Sequence, residues 1–151
     1  MAKIILETHI NAPVETCFNL CRDIDLHQVS TEKTKERAIA GRTSGLCELG
    51  DTITWEANHF GIKQQLTVKI TQLNYPYFFE DIMLKGAFKS MKHGHYFEEN
   101  NGHTIMKDVF EYETPFGILG KLFDTLILKR YMTSFLKERN RILKNSAEQI
   151  L

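Results

Sequence analysis

Apolar residues recur at helical spacing through the last quarter of the chain: Leu119, Leu122, Phe123, Leu126, Ile127, Tyr131, Phe135, Ile142, Leu143 and Ile150. The segment opens on Thr114-Pro115-Phe116-Gly117 and holds no proline or glycine after Gly120. A 3.6-residue period from Pro115 to Leu151 predicts one long amphipathic helix, with room for a kink near its start. At 1.5 Å per residue it would run roughly 45–50 Å, longer than a small domain is wide. Its apolar stripe therefore needs cover, and the middle of the chain reads as strands able to supply it.

The upstream pattern alternates. Lys3 to Ile10 places Ile4, Leu6, Thr8 and Ile10 on one face, which predicts a strand. Ala12-Pro13 ends it and starts a helix, where Val14, Cys17, Phe18 and Cys21 share one stripe. Asp25-Leu26-His27 opens a second short helix or turn. Ser30 to Arg37 is polar and reads as surface, Arg37 to Gly41 as a short strand, and Gly41 to Gly50 as a loop. Strands then follow over Thr52 to Phe60, Ile62 to Leu73, Tyr77 to Leu84, Phe88 to Glu98 and His103 to Glu113. Gly61 and Asn74-Tyr75-Pro76 mark turns, and Asn100-Asn101-Gly102 is a hairpin signal. Strand, helix, loop, antiparallel strands and long helix make an α+β fold, with one domain over residues 1–151.

Composition narrows the function classes. Lys+Arg and Asp+Glu are 19 each, so no global field draws the chain to nucleic acid or to an acidic membrane. No stretch approaches the roughly 20 apolar residues that span a bilayer, and the N-terminus lacks a signal-peptide run. A cytoplasmic protein without stable membrane insertion, monomer or homodimer, is expected. Cys17, Cys21 and Cys47 have no metal-site spacing and read as reduced core thiols.

The inward parity of the strands carries His59, His93, His95 and Asp108, with Asp81 as a further member and Trp55 and Tyr112 as amphipathic rings. Buried polar groups need partners, so this set is either a closed network or a patch that orients a ligand's head group. His93-Gly94-His95 also fits two ligands of one ion, with His59 or Asp108 as a third, but no companion spacing supports it and no metal or cofactor is expected. A histidine held by Asp81 or Asp108 would be a general acid/base. No nucleophile motif, phosphate loop or nucleotide fingerprint appears. Lys129, Arg130, Lys137, Arg139, Arg141 and Lys144 read as a positive, solvated face of the last helix, and the apolar start at Phe116, Ile118 and Leu119 as a hydrophobic gate.

Taken in order, Asp25-Leu26-His27, Ala38-Ile39-Ala40-Gly41, Gly50-Asp51, Thr54-Trp55, His59-Phe60-Gly61, Phe79, Asp81, His93, His95, Phe97, Asp108, Tyr112 and Pro115-Phe116-Gly117 carry a resemblance over nearly the whole chain. The chain resembles the SRPBCC superfamily of START, polyketide-cyclase and birch-pollen-allergen-like proteins. Within it, the chain is most similar to small bacterial proteins labelled cyclase/dehydrase or cell-division inhibitor. The resemblance implies a helix-grip fold: a curved antiparallel sheet around the C-terminal helix, with two short helices near the N-terminus. It also implies a cavity for a small hydrophobic or amphipathic molecule, faced by Trp55, His59, Phe79, Asp81, Met91, His93, His95, Asp108 and Tyr112. Met91 departs from the bulky aromatic common at its position, which predicts a wider or differently shaped cavity. Binding of a lipid- or polyketide-like molecule is the expected function. The alternatives are a cyclase or dehydratase using a cavity histidine, and a partner-binding module with a side-chain-filled core.

Overall fold

The computed structural model describes residues 1–149; Ile150 and Leu151, at the end of the expected helix, lie outside the described residues. Strand β1 (Ala2–Ile10) is followed by α1 (Val14–Cys21), α2 (Ile24–Ser30) and a tight turn at Glu32–Thr34. Then come β2 (Arg37–Gly41), β3 (Thr52–His59), β4 (Ile62–Asn74), β5 (Phe78–Lys85), β6 (Ser90–Asn100) and β7 (His103–Glu113). Helix α3 (Gly117–Phe123) passes through a π-helical turn (Asp124–Leu128) into α4 (Lys129–Gln149).

All seven strands join one antiparallel sheet in the order β1-β7-β6-β5-β4-β3-β2. Sequential hairpins build it, and β1 closes onto β7 from the far end of the chain. The β6–β7 turn is two residues, Asn101 and Gly102, at φ 54° and 80°, the left-handed pair that a right-twisted hairpin requires. Register shifts at Ala38/Ala40, Thr67/Val68 and Ile70/Gln72 bend β2–β5 and curve the sheet. Its concave face holds the even residues of β1 and β7 and the odd residues of β3, β5 and β6.

Two apolar clusters hold α4 in the curve. Ile10, Val14, Phe18, Phe97 and Met106 close one end against Leu143 and Ala147. Ile4, Ile53, Val68 and Phe110 meet Met132 and Leu136 nearer the other. The long-helix expectation holds, with the kink realised as the π turn. Its first two turns are not covered: Phe116 and Ile118 are 84% and 85% exposed, and Leu119, Leu122 and Leu126 are also exposed.

Two expectations are corrected. Ser30 to Arg37 is not wholly surface, because Ser30, Thr31 and Glu36 are buried where α2 turns back under β2. Arg139 is not part of a solvated basic face. It is 5% exposed, because α4 turns it toward the sheet together with Asn140.

Candidate functional site

Between the concave face and α3–α4 lies a cavity of about 750 Å³. Ile53, Trp55, Val68, Ile70 and Met91 form its sheet wall, and Leu128, Met132 and Phe135 its helix wall. The exposed apolar residues of α3 and the π turn stand away from the sheet, while α4 packs against it from Tyr131 onward. Phe60, at the β3–β4 turn, meets Tyr131 at 4.4 Å and Phe123 at 5.8 Å between ring centroids. With Phe116 and Leu119 these rings frame the mouth.

Of the residues expected to face inward, Trp55, His59, Phe79, Asp81, Met91, His93 and His95 line the cavity. Asp108 and Tyr112 stand behind the lining. Asp108 is fully buried beneath the two histidines, and the Tyr112 hydroxyl donates to Asp124 at the π turn.

The floor of the cavity is a continuous polar network. On β6, His93 Nε2 lies 2.8 Å from Asp108 Oδ1, and His95 Nε2 lies 3.0 Å from Asp81 Oδ2. Cross-strand pairing sets this up: His95 sits opposite Asp108 on β7 and Phe79 on β5, while His93 sits opposite Asp81. From α4, Arg139 Nη2 donates to Asp108 Oδ1 at 2.7 Å, and Asn140 Nδ2 donates to Oδ2 at 2.7 Å. Asn140 Oδ1 in turn accepts from Arg139 Nη2 at 2.8 Å. The Cys21 sulfur, at the end of α1, lies 3.6 Å from His95 Nδ1. Phe79 stacks on the His95 ring at 4.2 Å, and the two imidazoles lie 3.9 Å apart. No buried side-chain nitrogen or oxygen among the described residues lacks a partner.

Neighbouring groups divide the charge. Burial disfavours the charged Asp108, but Arg139 and the two histidines outweigh it and hold its pKa well below the usual carboxylate range. Asp81 is lowered in the same way, burial being overcome by His95. Burial also opposes a charged His95, yet the Cys21 sulfur and both carboxylates raise its pKa well above the ordinary value. Burial and the charge on His95 push His93 down to about 4. At neutral pH two carboxylates therefore face two cations, His95 and Arg139, and His93 is neutral. With Nε2–H given to Asp108, His93 Nδ1 is an unprotonated acceptor. It has no protein partner among the described residues, so it remains open to the cavity.

Nearer the mouth, His27 Nε2 lies 2.8 Å from Glu36 Oε1, with the His27 ring 4.3 Å from Trp55. The Tyr131 hydroxyl lies 2.6 Å from His59 Nδ1. Burial lowers the His59 pKa and raises that of Tyr131, so burial favours the neutral form of both partners in this hydrogen bond.

Solved structures share this architecture. The protein TTHA0849 from Thermus thermophilus superposes with a TM-score of 0.75 at 18% identity, over 97% of this chain and 99% of that one. A START superfamily protein from Mycobacterium smegmatis gives 0.74 at 12% identity, over 99% of each chain. Major latex-like protein 151 from Panax ginseng gives 0.71 at 13% identity, over 97% of each. The chain has the helix-grip fold that these structures share. No protein-family model matches it, and no curated protein matches it in sequence.

Sequence reasoning misplaced or passed over three residues that line this cavity, Cys21, Glu36 and Arg139, and Asn140 in the network behind it. A signal for the last two was present, since the helical stripe breaks between Phe135 and Ile142 where Arg139 and Asn140 stand. A buried Asp108 requires a cation, and that gap supplies one. Donor atoms of Asp81, His93 and His95 lie within 4.8 Å of one another. Of their nitrogens only His93 Nδ1 is free: His93 Nε2 is held by Asp108, and His95 is held by Asp81 at Nε2 and by Cys21 at Nδ1. Among the described residues no helix is long and apolar enough to cross a membrane.

Proposed function

We propose that this helix-grip protein binds a small hydrophobic or amphipathic molecule, lipid- or polyketide-like, in the internal cavity. The observation that carries the reading is an apolar cavity of about 750 Å³ whose polar floor is internally hydrogen-bonded and leaves one neutral acceptor, His93 Nδ1, open. Apolar burial supplies affinity, and a few convergent polar groups set orientation. A ligand hydroxyl or amide suits His93 Nδ1, and His59 Nε2 offers a second polar contact nearer the mouth. Trp55, Phe79 and Met91 provide contact area. Asp108 and Tyr112 act from behind the lining, Asp108 by holding His93 in one tautomer. The exposed Phe116, Leu119 and Phe123 mark the entry route. Space of this size weighs against a side-chain-filled core.

The cyclase or dehydratase reading draws on the His93–Asp108 pair. A base whose pKa is pushed down to about 4 takes up a proton poorly at neutral pH, so His93 suits a binding contact better than proton abstraction.

Trp55 is the chain's single tryptophan and lines the cavity, so its fluorescence reports occupancy. Titration with lauric acid, decanol and 1,8-dihydroxyanthraquinone should give a saturable change for at least one of them. His93→Ala should change the ranking of the three. The reading fails if no ligand saturates and native mass spectrometry of fresh protein shows only the bare chain.

A further inference from the structure

We propose that Cys21 is a nucleophile of this cavity, with His95 as its proton partner and Asp81 positioning His95, and that it adds to the β-carbon of apolar α,β-unsaturated carbonyl compounds. The inference rests on the cavity's accepting apolar molecules. Cys21 lines the cavity, with its sulfur 3.6 Å from His95 Nδ1. The opposite ring nitrogen is held by Asp81 at 3.0 Å. Phe79 stacked on one side and His93 against the ring keep the imidazole from turning. Thiol, imidazole and orienting carboxylate in that order are the parts of an activated sulfur nucleophile.

The other two thiols lack this arrangement. Among the described residues no histidine lies within hydrogen-bonding reach of either. Cys17 has only the Ala12 carbonyl at 3.9 Å, and burial raises its pKa. Burial pushes Cys47 up to about 12.

Charged and titratable groups surround the Cys21–His95 pair: Cys17 on α1, Asp81 on β5, His93 on β6, Asp108 on β7, Arg139 on α4 and Cys47 before β3, with Arg22 just past the end of α1 turned toward Cys47 and Glu48. Asp108 Oδ1 lies 3.4 Å from His95 Nδ1 but already accepts from His93 and Arg139. The sulfur is the remaining acceptor for that N–H.

The walls select an alkyl or aromatic tail. Arg139 Nη1 has no protein partner among the described residues and borders the cavity, so it is a cationic donor for a carbonyl oxygen. Addition requires neither leaving group nor water. Cys21 and His95 share one proton between sulfur and Nδ1. The sulfur electron pair forms the C–S bond at the β-carbon, and the C=C π pair moves to give an enolate on the carbonyl oxygen. The shared proton then passes from His95 to the α-carbon. The net change is addition of S–H across C=C.

The test begins with iodoacetamide on the intact protein at about pH 6, with peptide mapping of all three cysteines. Cys21 should be alkylated about tenfold faster than glutathione, with Cys17 and Cys47 unmodified, and His95→Gln or Asp81→Asn should slow Cys21 about tenfold. Pent-3-en-2-one and dodec-3-en-2-one then probe the ligand class. Normalised to glutathione, the long enone should react about tenfold faster than the short one, leaving the whole enone mass on Cys21. Alkylation no faster than glutathione, or a His95→Gln rate equal to wild type, overturns the proposal even where Trp55 titration still saturates. Fast alkylation without chain-length preference overturns the substrate class and counts against the apolar-binding reading as well. The wild-type rates need no variant, so a variant that misfolds leaves these outcomes readable.

Discussion

His93 and His95 lie two residues apart on one strand and hold opposite protonation states, which makes folding stability depend on pH in two directions. His93 is neutral in the fold, with a pKa of about 4. The unfolded chain returns it to about 6.5 and so binds the extra proton as pH falls. Stability is therefore lost from about pH 6.5 down to the folded value, on the order of 3 kcal/mol if His93 acted alone. Asp81 and Asp108, both lowered, extend that loss below about pH 4, since the stability they confer exists only above their unfolded pKa. His95 is raised, so its contribution is full below about pH 6.5 and is lost as pH climbs through its folded value. Urea unfolding across pH should show a maximum near about pH 6.5. His93→Gln should flatten the acid limb, and His95→Gln the alkaline one. A variant profile parallel to wild type on its own limb would refute the assignment. The inward parity of His93, His95 and Asp108 was legible in strand alternation, and that of Asp81 was not, because both parities of its strand are apolar or acidic. Their charges were not, because each depends on which carboxylate lies across the strand and on Arg139 arriving from α4.

At the scale of elements, the helix that the period predicts is interrupted where it leaves the sheet. Gly120 is buried against the loop that launches α3, and a Cβ there would overlap the Pro115 carbonyl oxygen. That closeness is why the helix can start so near β7. Gly120→Ala should push α3 outward and destabilise the protein by about 1–3 kcal/mol in urea unfolding. Because α3 frames the mouth, the same change should speed ligand exchange in stopped-flow Trp55 fluorescence. Wild-type stability in that variant would show that the contact is not tight in solution. The apolar stripe marked the helix well but did not show which turns are covered. Leu119 and Leu122 have the same period as Leu136 and Leu143, and only the second pair is buried. Periodicity reports which side of a helix is apolar; what lies opposite depends on how far the sheet curves.

For the molecule as a whole, the volume between sheet and helix determines what can bind. Ala57 faces the cavity from β3. Ala57→Leu should occupy part of that space, weaken the longest ligand about tenfold and leave Tm within about 3 °C. An unchanged affinity would place the ligand outside the cavity.

The amino-acid sequence by itself determined the elements and their faces. Alternation in β1, β3 and β7, the Asn101-Gly102 turn and the helical period after Pro115 act locally, so they survive without tertiary information. The α+β class was legible for the same reason, whereas the helix-grip arrangement was implied by the resemblance that residues spread over the chain carry. Tertiary structure alone decided the cavity and its chemistry. Asp108 and Arg139 are 31 residues apart, and Cys21 and His95 are 74 apart. Their contacts arise only when a curved sheet brings the end of α1 and the middle of α4 over the same strand, and burial there sets each group's charge by its neighbours rather than by its type.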